Sequence, residues 1–195
     1  MNQVYYATTN LGKFITLQKD LKEHNISLIR ADLKLPELQS EDLKVISGEK
    51  VRFAIGKLKK PCIAQDSALF IYSLEGFPNT YVKYALETIK IEGILKLLEG
   101  KPRGCEFRNC LAYLDSSLSN PMFFESESKG ILIPERRGKI RGESWSNLDL
   151  IFIPESYEKT VAELDDEEFK EWRAYRSKFS YSTKFASWFS QERKL

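Results

Sequence analysis

Hydrophobic and polar positions alternate along this chain in two distinct periods. Residues 4–7, Val-Tyr-Tyr-Ala, form a short β-branched and aromatic run that predicts a buried strand. Asn10 and Gly12 break it, and Phe14, Leu17 and Leu21 then recur at helical spacing. A second strand is expected over 26–29, followed by a polar loop over 32–42 that contains Pro36. Val51, Phe53, Ala54 and Leu58 predict a helix over 48–58, ending before Lys60 and Pro61. Ile63 and Ala64 begin a third strand that runs into Gln65, Asp66 and Ser67, and residues 69–72 continue as strand or turn. A breaker follows at 76–79. Ala85, Leu86, Ile89, Ile94, Leu97 and Leu98 predict one helix over 84–98, closed by Gly100. Residues 107–114 and 122–127 read as an antiparallel pair, and the basic, glycine-containing stretch 130–145 as a hairpin or excursion. A short apolar strand is expected over 150–153. From 165 onward the chain is mainly helical, with Asp165, Asp166, Glu167 and Glu168 suited to the positive end of a helix dipole.

Early alternation of strands and helices, with consecutive strands in the middle, predicts an α/β fold. Its expected form is a mixed β-sheet flanked by helices, in a single domain over 1–195 with two lobes. No internal repeat or long linker interrupts it. The 195 residues suffice for one well-cored domain. Thirty basic against 28 acidic residues leave a net charge of only +2, which argues against a nucleic-acid coat or a polybasic membrane anchor. A small anionic substrate needs only a local basic pocket, so it remains compatible. No stretch of about 18 apolar residues occurs, and no secretory leader is recognisable, so the expected location is the cytoplasm.

The candidate chemistry is narrow. Cys62, Cys105 and Cys110 show no Cys-x-x-Cys pairing, which disfavours a disulfide framework or a zinc site. The single histidine, His24, sits in a polar stretch that reads as a solvated helix end. Without a base for a serine or cysteine triad, hydrolysis must rest on carboxylates, lysines and a metal. Three places offer these groups. Thr8, Thr9, Asn10, Leu11, Gly12 and Lys13 form a strand-to-helix turn, which supplies free backbone N–H groups and a favourable dipole for an anion. The same pattern also serves as plain helix capping, and it is not a Walker loop. Glu37 lies in the polar loop, where a carboxylate is usually just solvated. Asp66 follows an apolar strand, and an acid at a strand's C-terminal end is placed to hold magnesium or orient water. The turn at 76–83 then brings in Lys83.

In this order the segments resemble the inosine triphosphate pyrophosphatase family, also called the Ham1 family. Residues 7–13 are similar to its opening Thr-Gly-Asn-x-x-Lys turn, with Thr9 in place of the usual glycine. Leu35-Pro36-Glu37, with Ser47, Lys50 and Ala54 beyond it, resembles the loop and helix that follow. Gln65-Asp66-Ser67 resembles Glu-Asp-[Ser/Thr], and Gly76-Phe77-Pro78-Asn79-Thr80-Tyr81-Val82-Lys83 is the most specific match. Asp149 to Phe152, and Thr160 to Leu164, are similar to Asp-Pro-x-Phe and Thr-x-Ala-Glu-[Leu/Met]. The resemblance implies an elongated sheet with a cleft between two lobes, the second built mainly by strands at about 105–155, and usually a homodimer. It also implies Mg2+-dependent attack of water on a nucleoside triphosphate, giving monophosphate and pyrophosphate. Glu37 and Asp66 then become the metal and water carboxylates, with Asp66 activating water. Lys13, Lys50 and Lys83 do the lysine work, while Thr8, Thr9, Asn10 and Ser67 cradle substrate. The implied substrates are deaminated purine nucleotides such as ITP, dITP and XTP.

Departures cluster where the base is read. Of Phe-Gly-[Tyr/Trp]-Asp only Asp149 survives, although Trp145 lies just before the segment and serves either to stack on a base or to pack. Ala174-Tyr175-Arg176 stands nearest to Ser-His-Arg, leaving Arg176 as a base or phosphate ligand or as an ordinary surface arginine. Gln65 replaces a glutamate, which weakens a metal site beside Asp66. Three readings therefore stay open: the family's substrate range, the same chemistry with relaxed base preference, and a nucleotide-binding protein with weak catalysis.

Overall fold

The computed structural model describes residues 2–144 and 146–193. Its elements follow the chain as β1 (Asn2–Ala7), α1 (Leu11–Lys22), β2 (Ile26–Ala31), α2 (Leu43–Leu58), β3 (Cys62–Ile71), β4 (Pro78–Asn79), α3 (Val82–Thr88) and α4 (Lys90–Leu97). Then come β5 (Gly104–Leu114), β6 (Met122–Leu132), β7 (Phe152–Pro154), α5 (Asp166–Ser177) and α6 (Tyr181–Glu192). The strands form one sheet in the order β2-β1-β3-β5-β6-β7, with β4 paired to β3 off this path. β1 pairs in parallel with β2 and β3, whereas β3–β4 and β6–β7 are antiparallel. The fold is therefore a mixed α/β sheet with helices. Among the described residues, no helix is long and apolar enough to cross a membrane.

The chain divides into two compact units. One holds Met1–Asp66, Asn109–Ser126 and Ser177–Leu195, and the other Ser67–Arg108 and Glu127–Arg176. In the first, strand alternation separates two apolar clusters, because successive side chains point to opposite faces. Val4, Tyr6, Ile63, Leu111 and Tyr113 pack with Leu17 and Leu21 of α1 and with Tyr181, Phe185 and Phe189 of α6. Ala7, Cys62, Ala64, Ala112 and Leu114 pack instead with Val51 and Ala54 of α2. One sheet face thus belongs to α1 and α6, the other to α2. The second unit has its own core, in which Leu69, Ile71, Ile94, Leu132, Phe152 and Trp172 are all buried.

Three details depart from the sequence reading. The helix predicted over 84–98 is two, because Lys90 adopts a left-handed φ of 60° between α3 and α4. Gly93 belongs to this break: a Cβ there would lie 2.5 Å from the Ile89 Cβ. α2 begins at Leu43 rather than Gly48, capped by the Asp42 carboxylate, which accepts from the Lys44 amide at 2.7 Å. Finally, the excursion over 130–145 starts as strand, since β6 extends to Leu132 and pairs with β7. Gly130 permits that pairing, as an added Cβ would sit 2.2 Å from the Ile153 carbonyl oxygen. Gly130→Ala is expected to cost about 1–3 kcal/mol of stability, read as a lower urea midpoint; an unchanged midpoint would show that the strand pair can separate without loss.

Candidate functional site

Three residues converge in the first unit through different elements. Asp66 lies on β3, Lys50 on α2 and Lys13 in the first turn of α1. β3 alternation directs Asp66 to the same face as Cys62 and Ala64, which is the α2 face, and there Lys50 Nζ stands 3.2 Å from Asp66 Oδ2. Both side chains are largely shielded from solvent, at 14% exposure for Lys50 and 19% for Asp66. Burial lowers the Lys13 ammonium from its ordinary value to about 8; the Asp66 charge pulls it up and Lys50 pushes it down. Two lysines thus act on one carboxylate, an arrangement of cations suited to a polyphosphate.

Asp66 is not at a strand's end, as the sequence reading placed it. β3 runs on to Ile71. The register with β1 is Tyr5↔Cys62 and Tyr6↔Ile63, and β1 stops at Ala7, so Asp66 lies past the edge of its shorter neighbour. It is this unequal strand length, not the end of β3, that leaves Asp66 without a β1 residue beside it.

The turn from Thr8 to Lys13 combines both of its expected roles. Asn10 is the N-cap of α1, its Oδ1 accepting from the Lys13 amide at 2.9 Å. The Thr8 hydroxyl accepts from the Asn10 amide at 3.1 Å. Thr8 and Asn10 thus spend side-chain oxygens on the turn itself. The amides of Leu11 and Gly12, at the helix start, are the backbone donors that the turn does not commit. Thr9 is exposed. Glu37 lies exposed in the loop over 32–42. Among the described residues there is no cluster of three metal-ligating side chains.

The second unit gathers another pair. Asp149 follows the Ser146 cap of a short 3-10 turn over Asn147–Leu150. Burial raises its carboxyl above the ordinary value, opposed by a hydrogen bond with Ser144 and by the Arg176 charge. Arg176 also lies over the Trp172 ring, 4.7 Å from its centroid. Asp149 and Arg176, taken separately from sequence, are therefore neighbours, and Ser144 is a partner that sequence reasoning missed. Ser67 lies on β3, Lys83 is exposed on α3, and Tyr175 is exposed on α5. Trp145 lies outside the described residues.

Sequence reasoning also missed Tyr6. A buried tyrosine in a strand ordinarily finds a partner for its hydroxyl, and that was the available signal. Its hydroxyl donates to Gln65 Oε1 at 2.9 Å, with both side chains buried.

Comparison with known proteins identifies the family and the fold. The chain is 39% identical over 192 residues to a dITP/XTP pyrophosphatase of Methanopyrus kandleri, covering 96% of each chain. It is 38% identical to one from Saccharolobus solfataricus, over 83% of this chain and 81% of the relative. Among solved structures, a HAM1 protein from Coxiella burnetii shares the fold, with a TM-score of 0.80, 22% identity and coverage of 98% of this chain and 100% of the other. The Staphylococcus aureus Ham1 protein does so with a TM-score of 0.77, at 19% identity and the same coverage. The model of the Ham1 family matches residues 4–177, and with relatives this similar along nearly the whole length, the chain belongs to the Ham1 family.

Proposed function

We propose that this chain is a nucleoside triphosphate pyrophosphatase that hydrolyses ITP, dITP and XTP to the monophosphate and pyrophosphate with Mg2+. The observation that carries the reading is Asp66, held on β3 with Lys50 3.2 Å away and Lys13 close enough to feel its charge. The names of the Methanopyrus and Saccharolobus relatives supply the substrate class.

Asp66 takes a proton from water as the water oxygen bonds to the α-phosphorus and the bond to the α–β bridging oxygen breaks. Pyrophosphate leaves on that oxygen. Lys13, Lys50 and the amides of Leu11 and Gly12 bind phosphate oxygens and stabilise charge that grows on them. Lys83 and Ser67 add to phosphate binding in this reading, while Asp149 and Arg176 serve the base. In this reading Asp66 and Glu37 would hold magnesium, which commonly uses one or two carboxylates together with substrate phosphates and water. A site of this kind needs no cluster of three acids. When bound, the ion would neutralise phosphate charge and aid loss of pyrophosphate. In line with the family resemblance, the proposal places the enzyme in the cytoplasm as a homodimer.

Purified protein with Mg2+ should release pyrophosphate from ITP, dITP and XTP with kcat/KM about a hundredfold above that for GTP or dUTP. Equal turnover of all five favours the relaxed-preference reading, for which Ala174 and Tyr175 in place of Ser-His are the motive. Tight nucleotide binding without any pyrophosphate release would overturn the enzymatic reading.

A further inference from the structure

The residue before Asp66 turns the other way. Alternation along β3 sends Gln65 to the face of Ile63, against α1 and α6, while Asp66 faces α2. Gln65 is 6% exposed and Tyr6 is fully buried. Tyr6 has one hydroxyl proton, and it goes to Gln65 Oε1. The Thr8 hydroxyl lies near the Tyr6 hydroxyl and acts on it electrostatically. The Thr8 oxygen in turn accepts from the Asn10 amide, and Asn10 Oδ1 accepts from the Lys13 amide. Hydrogen bonds thus link Lys13 through Asn10 to Thr8, and beside Thr8 the Tyr6 hydroxyl bonds the neighbour of Asp66.

Its location gives the chain a purpose. The β1–β3 register covers Tyr5↔Cys62 and Tyr6↔Ile63, and both Gln65 and Asp66 lie past these pairs. The Tyr6–Gln65 bond ties β3 back to β1 where the ladder has ended. A core formed only for stability would be served by apolar side chains here, because a buried polar pair gains little net energy. What a fully satisfied buried bond adds is a single geometry.

We propose that Tyr6 and Gln65 are positioning residues, whose buried hydrogen bond fixes Asp66 relative to the phosphate turn that carries Lys13. The proposal rests on the pyrophosphatase reading for its kinetic consequence, and on the Tyr6–Gln65 geometry for its physical one. Displacing a reacting group slightly costs turnover far more than binding. The test uses Tyr6→Phe, Gln65→Met, their double variant and Gln65→Glu, which keeps an acceptor oxygen. Tyr6→Phe and Gln65→Met are each expected to lower kcat about tenfold with KM little changed. The double variant should be no worse than the worse single, as both remove one bond. Gln65→Glu should recover turnover relative to Gln65→Met, and this pair decides the matter should Tyr6→Phe fail to fold. Full kcat in both single variants, a loss confined to KM, or losses that multiply in the double variant overturn the proposal.

Amide deuterium exchange separates this proposal from the pyrophosphatase reading. In Tyr6→Phe, uptake should rise in peptides over 8–12 and over 65–67, with α5 peptides unchanged as the control for general loosening. A wild-type protein that turns over no nucleotide refutes the pyrophosphatase reading, and exchange still judges the link. Unaltered uptake at either end refutes the link whatever the activity.

Discussion

Asp66→Asn is expected to lower pyrophosphate release about a thousandfold while nucleotide binding without Mg2+ survives, because the substitution removes the base and a metal carboxylate but spares the lysines and backbone amides. Asparagine is nearly the same size, so the α2 face of β3 keeps its packing. What changes is charge. The carboxylate now sits 3.2 Å from the Lys50 ammonium and also acts on Lys13. Its loss leaves both cations without that partner, which favours an added polyphosphate electrostatically. A Kd without Mg2+ that holds or tightens, beside a collapsed kcat with Mg2+, is therefore the signature, measured by calorimetry and by single-turnover release. Turnover within about tenfold of wild type would show that the water is activated by another group, since a general base accounts for a hundredfold or more.

Lys13→Met should cost about a hundredfold in kcat/KM, the effect of removing one fixed donor from developing phosphate charge. Methionine matches the length of the lysine stem, so packing is retained while the charge goes. The pH dependence gives a second check. Burial holds the Lys13 ammonium at about 8 against an ordinary 10.5. It is therefore charged below about 8 and neutral above it, and kcat/KM of the wild type should fall as pH rises through that value. The variant should lack this descending limb. Stability moves the other way: between about 8 and 10.5 the unfolded chain holds the proton that the folded chain has lost, so stability rises with pH there. Lys13→Met should for the same reason leave Tm unchanged or higher. A lower Tm in the variant, or a wild-type kcat/KM flat across pH 7–9.5, would contradict the assignment of a partly buried substrate-binding lysine.

Much of the fold was legible in local pattern. The apolar run of β1, the Asn10 cap and the 3.6-residue spacing of Phe14, Leu17 and Leu21 all act within a few residues, and all form as expected. Local pattern also placed two strands around 107–127, although their full extents, Gly104–Leu114 and Met122–Leu132, depend on partners elsewhere in the chain. It failed at Lys90, where a run with continuous helical spacing is split by one left-handed residue and the fit of Ile89 over Gly93.

For the candidate site, the order of Lys13, Glu37, Asp66 and Lys83 along the chain suggested the chemistry, since residue types and the turn before α1 are local properties. Tertiary structure decided how that chemistry is arranged. Asp66 meets Lys50 only because β3 outruns β1 and presents its even positions to α2. Gln65, which reads in sequence as a missing charge beside Asp66, is in the fold a buried partner of Tyr6, 59 residues away. Asp149 and Arg176, 27 apart in the chain by their numbers, become neighbours with Ser144. Sequence by itself determined most of the elements and offered the candidate groups, because periodicity and side-chain chemistry reside in short segments. Which groups face one another depends on strand register and relative strand length, and these are set only when distant segments pair.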